Sequence, residues 1–222
     1  SNKLEAIFCF NKVIEDDKKN YAEAQKLIND YKEGVKQEGL NKAEQLYKEN
    51  KIDQALDTVK KLSEVIPNDS VIKLKENFYI TEKQKADKLA EEQRINELNE
   101  KQDLKVITTR IETTFLGTKK VYVVVKNDTD KVVKDYIAGI LLFDSNGYPI
   151  HESFSDDNLE RSKADAINIQ PHQVKGENYY WTFLNGNIVN VKACIESVTY
   201  YDGTTWNNEY YHYWLEKEKD RF

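Results

Sequence analysis

Methionine is absent from this 222-residue chain, and proline (three), cysteine (two) and glycine (eight) are scarce. Two cysteines, Cys9 and Cys194, cannot build a disulfide scaffold or a thiolate zinc site. The favoured reading is two free thiols, each packing as a small apolar residue, with a bridge across the 185 residues between them as the alternative. No run approaches the roughly 18–20 consecutive apolar residues of a membrane span. Positive charge is not in excess: 33 Lys+Arg against 39 Asp+Glu leave −6, with a pI near 5.3. That balance argues against a protein that binds nucleic acid by neutralising phosphates. Only 39% of the residues are hydrophobic and the mean hydropathy is −0.77. Even so, 14 Tyr, 8 Phe and 3 Trp exclude a simply disordered chain. Ser1-Asn2 reads as a cleavage scar, so an upstream signal, anchor or further domain is expected.

What is present divides near residue 102. Residues 1–102 hold two of the eight glycines and seven aromatics, against six and 18 in the remainder. The halves carry net charges of −2 (19 basic, 21 acidic) and −4 (14 basic, 18 acidic), so neither conceals a basic domain. In the first half Tyr21, Ala24, Leu27, Ile28, Tyr31 and Val35 recur at spacings of three and four. Ile52, Ala55, Leu56, Val59, Leu62 and Ile66 do the same. These periods predict helices at about 3–16, 21–49, 53–66 and 69–101. Asn20 with Glu23 suggests a capping-box start, Asp53 and Asn68 or Asp69 are further N-cap candidates, and Pro67 should end a helix at Ile66. Gly34 and Gly39 are candidate breaks in the second helix. Thr81–Gln102 carries only a thin apolar stripe, which fits either a solvated connecting helix or a short coiled-coil contact with another chain.

The second half alternates. Val121, Val123 and Val125 face one way and Tyr122 and Val124 the other; Tyr179, Trp181 and Phe183 oppose Tyr180, Thr182 and Leu184. Turn chemistry separates such runs at Asn127–Asp130, Asp144–Gly147 and Asp202-Gly203. Strands are expected near 104–115, 119–126, 134–144, 148–153, 166–170, 175–184, 189–201 and 205–214. Ser155–Ala166 is expected to be a loop or a short helix. The resulting fold class is α+β with two domains. Helical hairpins occupy 3–80, a helical linker continuous with the preceding helix 81–102, and an antiparallel β-sandwich 103–222.

Two resemblances add to this. Ala55, Val59, Leu62 and Pro67, with Leu46 before them, resemble the second helix of a tetratricopeptide repeat, and Ala6, Phe10 and Val13 resemble an earlier one. The likeness covers about residues 4–80. In the second half the pattern is Val121–Val125 into Asn127, then Ile140–Asp144 leading to Gly147, and Ile169-Gln170-Pro171. With the ending Tyr201–Asn207, Tyr210-Tyr211 and Trp214, it resembles the FxLYD-like, immunoglobulin-type modules of Gram-positive (clostridial) membrane-anchored proteins of unknown function. That resemblance, over about 105–215, implies an extracytoplasmic location and a membrane anchor upstream.

Chemistry-bearing motifs are sparse. His151, His172 and His212 stand at no metal-ligand spacing. Asp128, Asp130, Asp156 and Asp157 offer oxygens for Ca²⁺ but form no regular loop. No nucleophile elbow or Gly-rich phosphate loop occurs. Neither enzymatic activity nor a metal or cofactor is expected. Trp206, Tyr210, Tyr211, Tyr213 and Trp214 are the candidate binding residues. They form either an aromatic platform for a sugar ring or peptide, or the closing layer of the sandwich core. Two functions follow. The first is a non-catalytic protein-interaction or adaptor region of a membrane-anchored extracytoplasmic protein. The alternative is a glycan- or cell-wall-binding module that uses those aromatics.

Overall fold

The computed structural model describes residues 2–152 and 157–222. Helices α1 (Asn2–Phe10), α2 (Lys18–Lys48), α3 (Ile52–Val65) and α4 (Ser70–Glu100) come first. They are followed by strands β1 (Leu104–Thr113), β2 (Lys119–Asn127), β3 (Val133–Phe143), β4 (Leu159–Ala164), β5 (Val174–Lys175), β6 (Tyr180–Phe183), β7 (Asn190–Tyr200) and β8 (Thr205–Asn207). Helix α5 (Tyr211–Glu218) closes the chain. This is the α+β, two-part arrangement read from the periods. The chain divides into two units, Ser1–Glu92 and Gln93–Phe222, with α4 running unbroken across the division.

In the first unit, the α3 stripe is inward as its period requires: Ala55, Leu56, Val59, Leu62 and Ile66 are buried together with Ile7, Ile28, Val35, Ala43, Ile72 and Tyr79. Pro67 follows Ile66, the C-cap of α3. Asp69 caps α4, its Oδ1 accepting from the Val71 and Ile72 amides at 2.9 and 3.1 Å, while Asn68 adopts a left-handed turn (φ 68°). Several expectations are corrected. Asp17, not Asn20, caps α2, because its carboxylate receives both the amide and the side-chain NH₂ of Asn20. Asp53 lies within the first turn of α3, where Lys51 occupies the cap position without a side-chain bond. Helix α1 ends at Phe10, so Val13 lies beyond it, and Ile7 rather than Ala6 is the fully buried residue. Neither glycine interrupts α2. Gly39 instead makes room for Leu62, whose Cδ1 lies 2.5 Å from where a Cβ would stand.

In the second unit two antiparallel sheets enclose one core. Sheet A pairs β1 with β2, and β2 with both β5 and β6; sheet B runs β4-β3-β7-β8. Val121, Val123 and Val125 meet Tyr136, Ala138, Ile140 and Leu142 in the shared core. Turns follow their chemistry: Asp144 Oδ1 accepts from the Asn146 and Tyr148 amides at 2.8 and 2.9 Å, and Gly147 takes φ 79°. Asp202 likewise receives the Thr204 amide, with Gly203 at φ 83°.

Four strand expectations are corrected. Among the described residues, which leave out residue 153, the segments near 148–153 and 166–170 contribute only single bridges, Phe143–Pro149 and Val133–Ile169. The segment 175–184 is broken into β5 and β6. Strand β4 lies within the stretch expected to be a loop or helix, of which residues 155 and 156 fall outside the described residues. It is an edge strand, and its Glu160, Arg161 and Lys163 are the charges that keep an open edge from pairing with other chains. The segment 205–214 splits into β8 and α5. Tyr211, Trp214, Leu215 and Glu218 recur at helical spacing, and burial of Trp214 favours that period over the Tyr211–Tyr213 alternation.

Candidate functional site

The five C-terminal aromatics do not share one exposed face. Trp206 is half-buried against the inter-sheet core. Trp214, 7% exposed, is part of a second cluster with Leu141, Phe143 and Cys194, to which Tyr210 and Tyr211 add their rings. Tyr211 stacks on Trp214 at 5.6 Å, with 31° between the ring planes. Its hydroxyl sits against Gly139, where a Cβ would stand in its way, and makes no hydrogen bond among the described residues. Burial pushes that hydroxyl up to about 12. Tyr213 is half-buried and lines a shallow hollow with Ile95, Asn96 and Asn99. Three of the five therefore serve the packing of α5 onto sheet B, and Trp206 serves the other core.

On the outer face of sheet A, Arg110 and Tyr180 are exposed and Lys120 is half-buried. Because Val121, Val123 and Val125 point inward, Tyr122 points to the other face, in register with Arg110 on β1 and Tyr180 on β6, and is itself buried at 6% exposure. The Arg110 guanidinium lies 3.8 Å from the Tyr122 ring centre, and Lys120 lies 4.3 Å from that of Tyr180. The two tyrosine rings are 5.4 Å apart. Glu112 fixes the array, accepting from the Tyr122 hydroxyl at 2.7 Å and pairing with Arg110. Cation–π contacts and a carboxylate thus hold the side chains in a single geometry before any partner arrives.

A cleft of about 200 Å³ opens beside this face, between the β6 edge of sheet A and the β4 edge of sheet B. Trp181 spans the two edges, its indole N–H donating to the Lys163 carbonyl at 3.3 Å. Tyr136 forms the floor, opposite the small Ala164 on β4 and edge-on to Trp181 at 6.3 Å. Ala166 and Asn168 on the rim take left-handed backbone (φ 50° and 51°), a conformation that costs an alanine energy and needs external support. Asp135 supplies it by accepting from the Ala166 amide at 2.7 Å, and that N–H is the main cause holding its carboxyl below the usual range. Lys175 binds the carbonyls of Ile167 and Asn168.

The remaining candidates are dispersed. His151 and His212 are exposed, and His172 meets Asp130 at 3.1 Å on the surface. Asp157 pairs with Lys219 at 2.7 Å, and Asp156 lies outside the described residues. Among the described residues no three His, Cys, Asp or Glu converge on a metal position. Cys9 is exposed and Cys194 buried, both as free thiols, with burial raising the Cys194 thiol to about 12.

Residues 120–221 match a family of unknown function, DUF5780. A solved structure of a hypothetical protein from Peptoclostridium difficile 630 is similar at a TM-score of 0.45 and 15% identity, over 55% of this chain and 94% of that one. No curated protein matches the chain.

Tyr122, Arg110, Tyr136 and Trp181 were not among the sequence candidates. Alternation in β2 and β6 does mark Tyr122 and Tyr180 as outward-facing. What it lacks is the strand register that sets Arg110 against them.

Proposed function

We propose that this chain is a non-catalytic protein-recognition region of an extracytoplasmic bacterial protein held at the membrane by a segment upstream. In this reading the helices act as a tetratricopeptide-like scaffold, and the sandwich, like the FxLYD-type immunoglobulin-fold modules it resembles, makes the contact. The observation that supports it is the ordered Arg110–Tyr122–Tyr180–Lys120 array. Tyrosine and arginine are the residue types enriched among binding hot spots, and a rigid array loses little side-chain entropy on docking. The test is retention of envelope proteins from the source organism on the immobilised chain, against the double variant Arg110→Ala/Lys120→Ala. A partner retained by the native chain and released by the variant, at unchanged circular dichroism, is the expected result. Equal retention by both chains would remove sheet A from the interaction.

A further inference from the structure

The cleft between the β4 and β6 edges carries a phenol that the protein-recognition reading does not use. Tyr136 is only 2% exposed, lines the cleft, and has no hydrogen-bond partner for its hydroxyl among the described residues. Burial alone raises its pKa, so it remains a neutral phenol that can both donate and accept. The wall is aromatic: Trp181 is half-buried, and Tyr179 and Tyr180 are 51% and 46% exposed. The rim carries one cation and one anion already paired with each other, Lys163 and Asp165 at 2.5 Å. The site therefore offers no net charge to an ionic ligand. A purely apolar occupant, such as an aliphatic side chain, would expel water from Tyr136 and leave the hydroxyl without a partner, a costly outcome. The occupant that fits has an apolar face for the rings and hydroxyl groups at its edge for Tyr136 and the Lys163–Asp165 pair. At about 200 Å³ the cleft lies below the roughly 300–1,000 Å³ of sites for drug-sized ligands, which limits it to a single ring.

We propose that this cleft is a subsite for one uncharged sugar ring, with Tyr136 as the buried hydrogen-bond partner and Trp181 and Tyr179 as the apolar wall. The sugar site is thereby placed away from the C-terminal aromatics. Tyr180 belongs both to the wall of this cleft and to the sheet A array, so the two sites adjoin at that residue.

The test uses the whole chain, ¹⁵N-labelled and titrated with cellobiose, maltose and N,N′-diacetylchitobiose, and separately with a neutral acetylated Leu-Tyr-Pro peptide amide. At least one disaccharide should bind with a dissociation constant of about 1 mM or tighter and shift the Trp181 indole N–H and the Ala164–Ile167 amides. Tyr136→Phe removes one oxygen and keeps the ring, so the fold should be retained while binding weakens about tenfold, the worth of one hydrogen bond to a buried group. Trp206→Phe, outside the cleft, should bind as the native chain does. No shift with any disaccharide at about 20 mM, roughly twentyfold above the expected constant, overturns the proposal. So does binding that Tyr136→Phe leaves unchanged, or a response to the peptide alone. Arg110→Ala alone, which leaves Lys120 on the Tyr180 ring, should bind sugar normally, which separates failure here from failure of the protein-recognition reading.

Discussion

Apart from the phenol of Tyr79, the buried side chains described in the first unit are apolar, whereas the second unit buries Gln102, Asn127, Asn158 and Asn208. The difference follows from the backbone. A helix satisfies its own N–H and C=O groups, so the surfaces between α2, α3 and the start of α4 need only side-chain packing. The sandwich has irregular connections whose carbonyls need partners. Asn127 donates to the carbonyls of Lys131, Ile169 and Gln170 while its own oxygen receives Thr129. Asn208 donates to Ile195 and Gln102 and accepts from the Tyr210 amide. Ion pairs divide in the same way. In the first unit many are one helical turn apart, as in Lys48–Glu44 and Lys61–Asp57. In the second, Arg161–Glu196 and Lys192–Glu218 tie distant segments together.

This contrast can be broken by experiment. Asn127→Ala would remove a buried, fully bonded amide and should cost about 4 kcal/mol, about 1 for each of the hydrogen bonds made by its two N–H hydrogens and its oxygen, while the Ile169 and Gln170 carbonyls keep the Val133 and Gln173 amides. A loss below about 1 kcal/mol in chemical denaturation would show that water replaces the amide and that the polar anchors are not what hold the loops. Leu62→Ala, the apolar counterpart in the first unit, should cost about 3 kcal/mol, read from the helical circular dichroism signal. A smaller loss would mean that the space beside Gly39 collapses around the shortened side chain.

The two units also hold carboxyls of opposite pH sign. Lys36, followed by the Ile72 amide, holds Asp69 below its usual range. Its contribution is present above the unfolded carboxyl pKa and is lost as pH falls through the lower folded value. Asp69→Ala should therefore cost about 1 kcal/mol at pH 7, the usual worth of an N-cap, and much less near pH 2. Glu160 is raised, chiefly by burial and then by Glu152 and Asp157, and its Oε1 has no hydrogen-bond partner among the described residues. Its ionisation opposes folding above the raised folded pKa, and the penalty vanishes below the unfolded one. Glu160→Gln should stabilise the sandwich at pH 7 by up to about 1 kcal/mol and be neutral near pH 3. A pH-independent effect at either position would assign it to packing instead. The smallest effect belongs to Lys61→Ala, whose exposed pair with Asp57 should leave the denaturation midpoint unchanged.

Legibility followed the range of the interactions. Helix α3 was readable because its period, its terminating Pro67 and its burial all lie within 16 residues of sequence. The turns at Asp144–Gly147 and Asp202-Gly203 were readable because an Asx oxygen and a glycine act on amides two to four positions away. Strand β4 was not, since an edge strand rich in charge looks like a loop until β3 pairs with it. Nor was α5. Tyr210–Trp214 fits either period, and only the apolar surface of Leu141, Phe143 and Cys194 on sheet B selects the helix. The cleft depends on Tyr136, Ala164 and Trp181, which come from three separate strands.

By itself the amino-acid sequence determined that a helical part precedes an antiparallel β part, where several turns fall, and which faces of α3 and β2 are apolar. Those properties arise from backbone preference and side-chain period within a few residues. Tertiary structure decided which strands became neighbours, that Trp214 is core rather than platform, and that Arg110 lies over Tyr122. The physical reason is that sheet pairing and burial join residues tens of positions apart, and a shift of one residue in register would turn every one of those side chains to the opposite face.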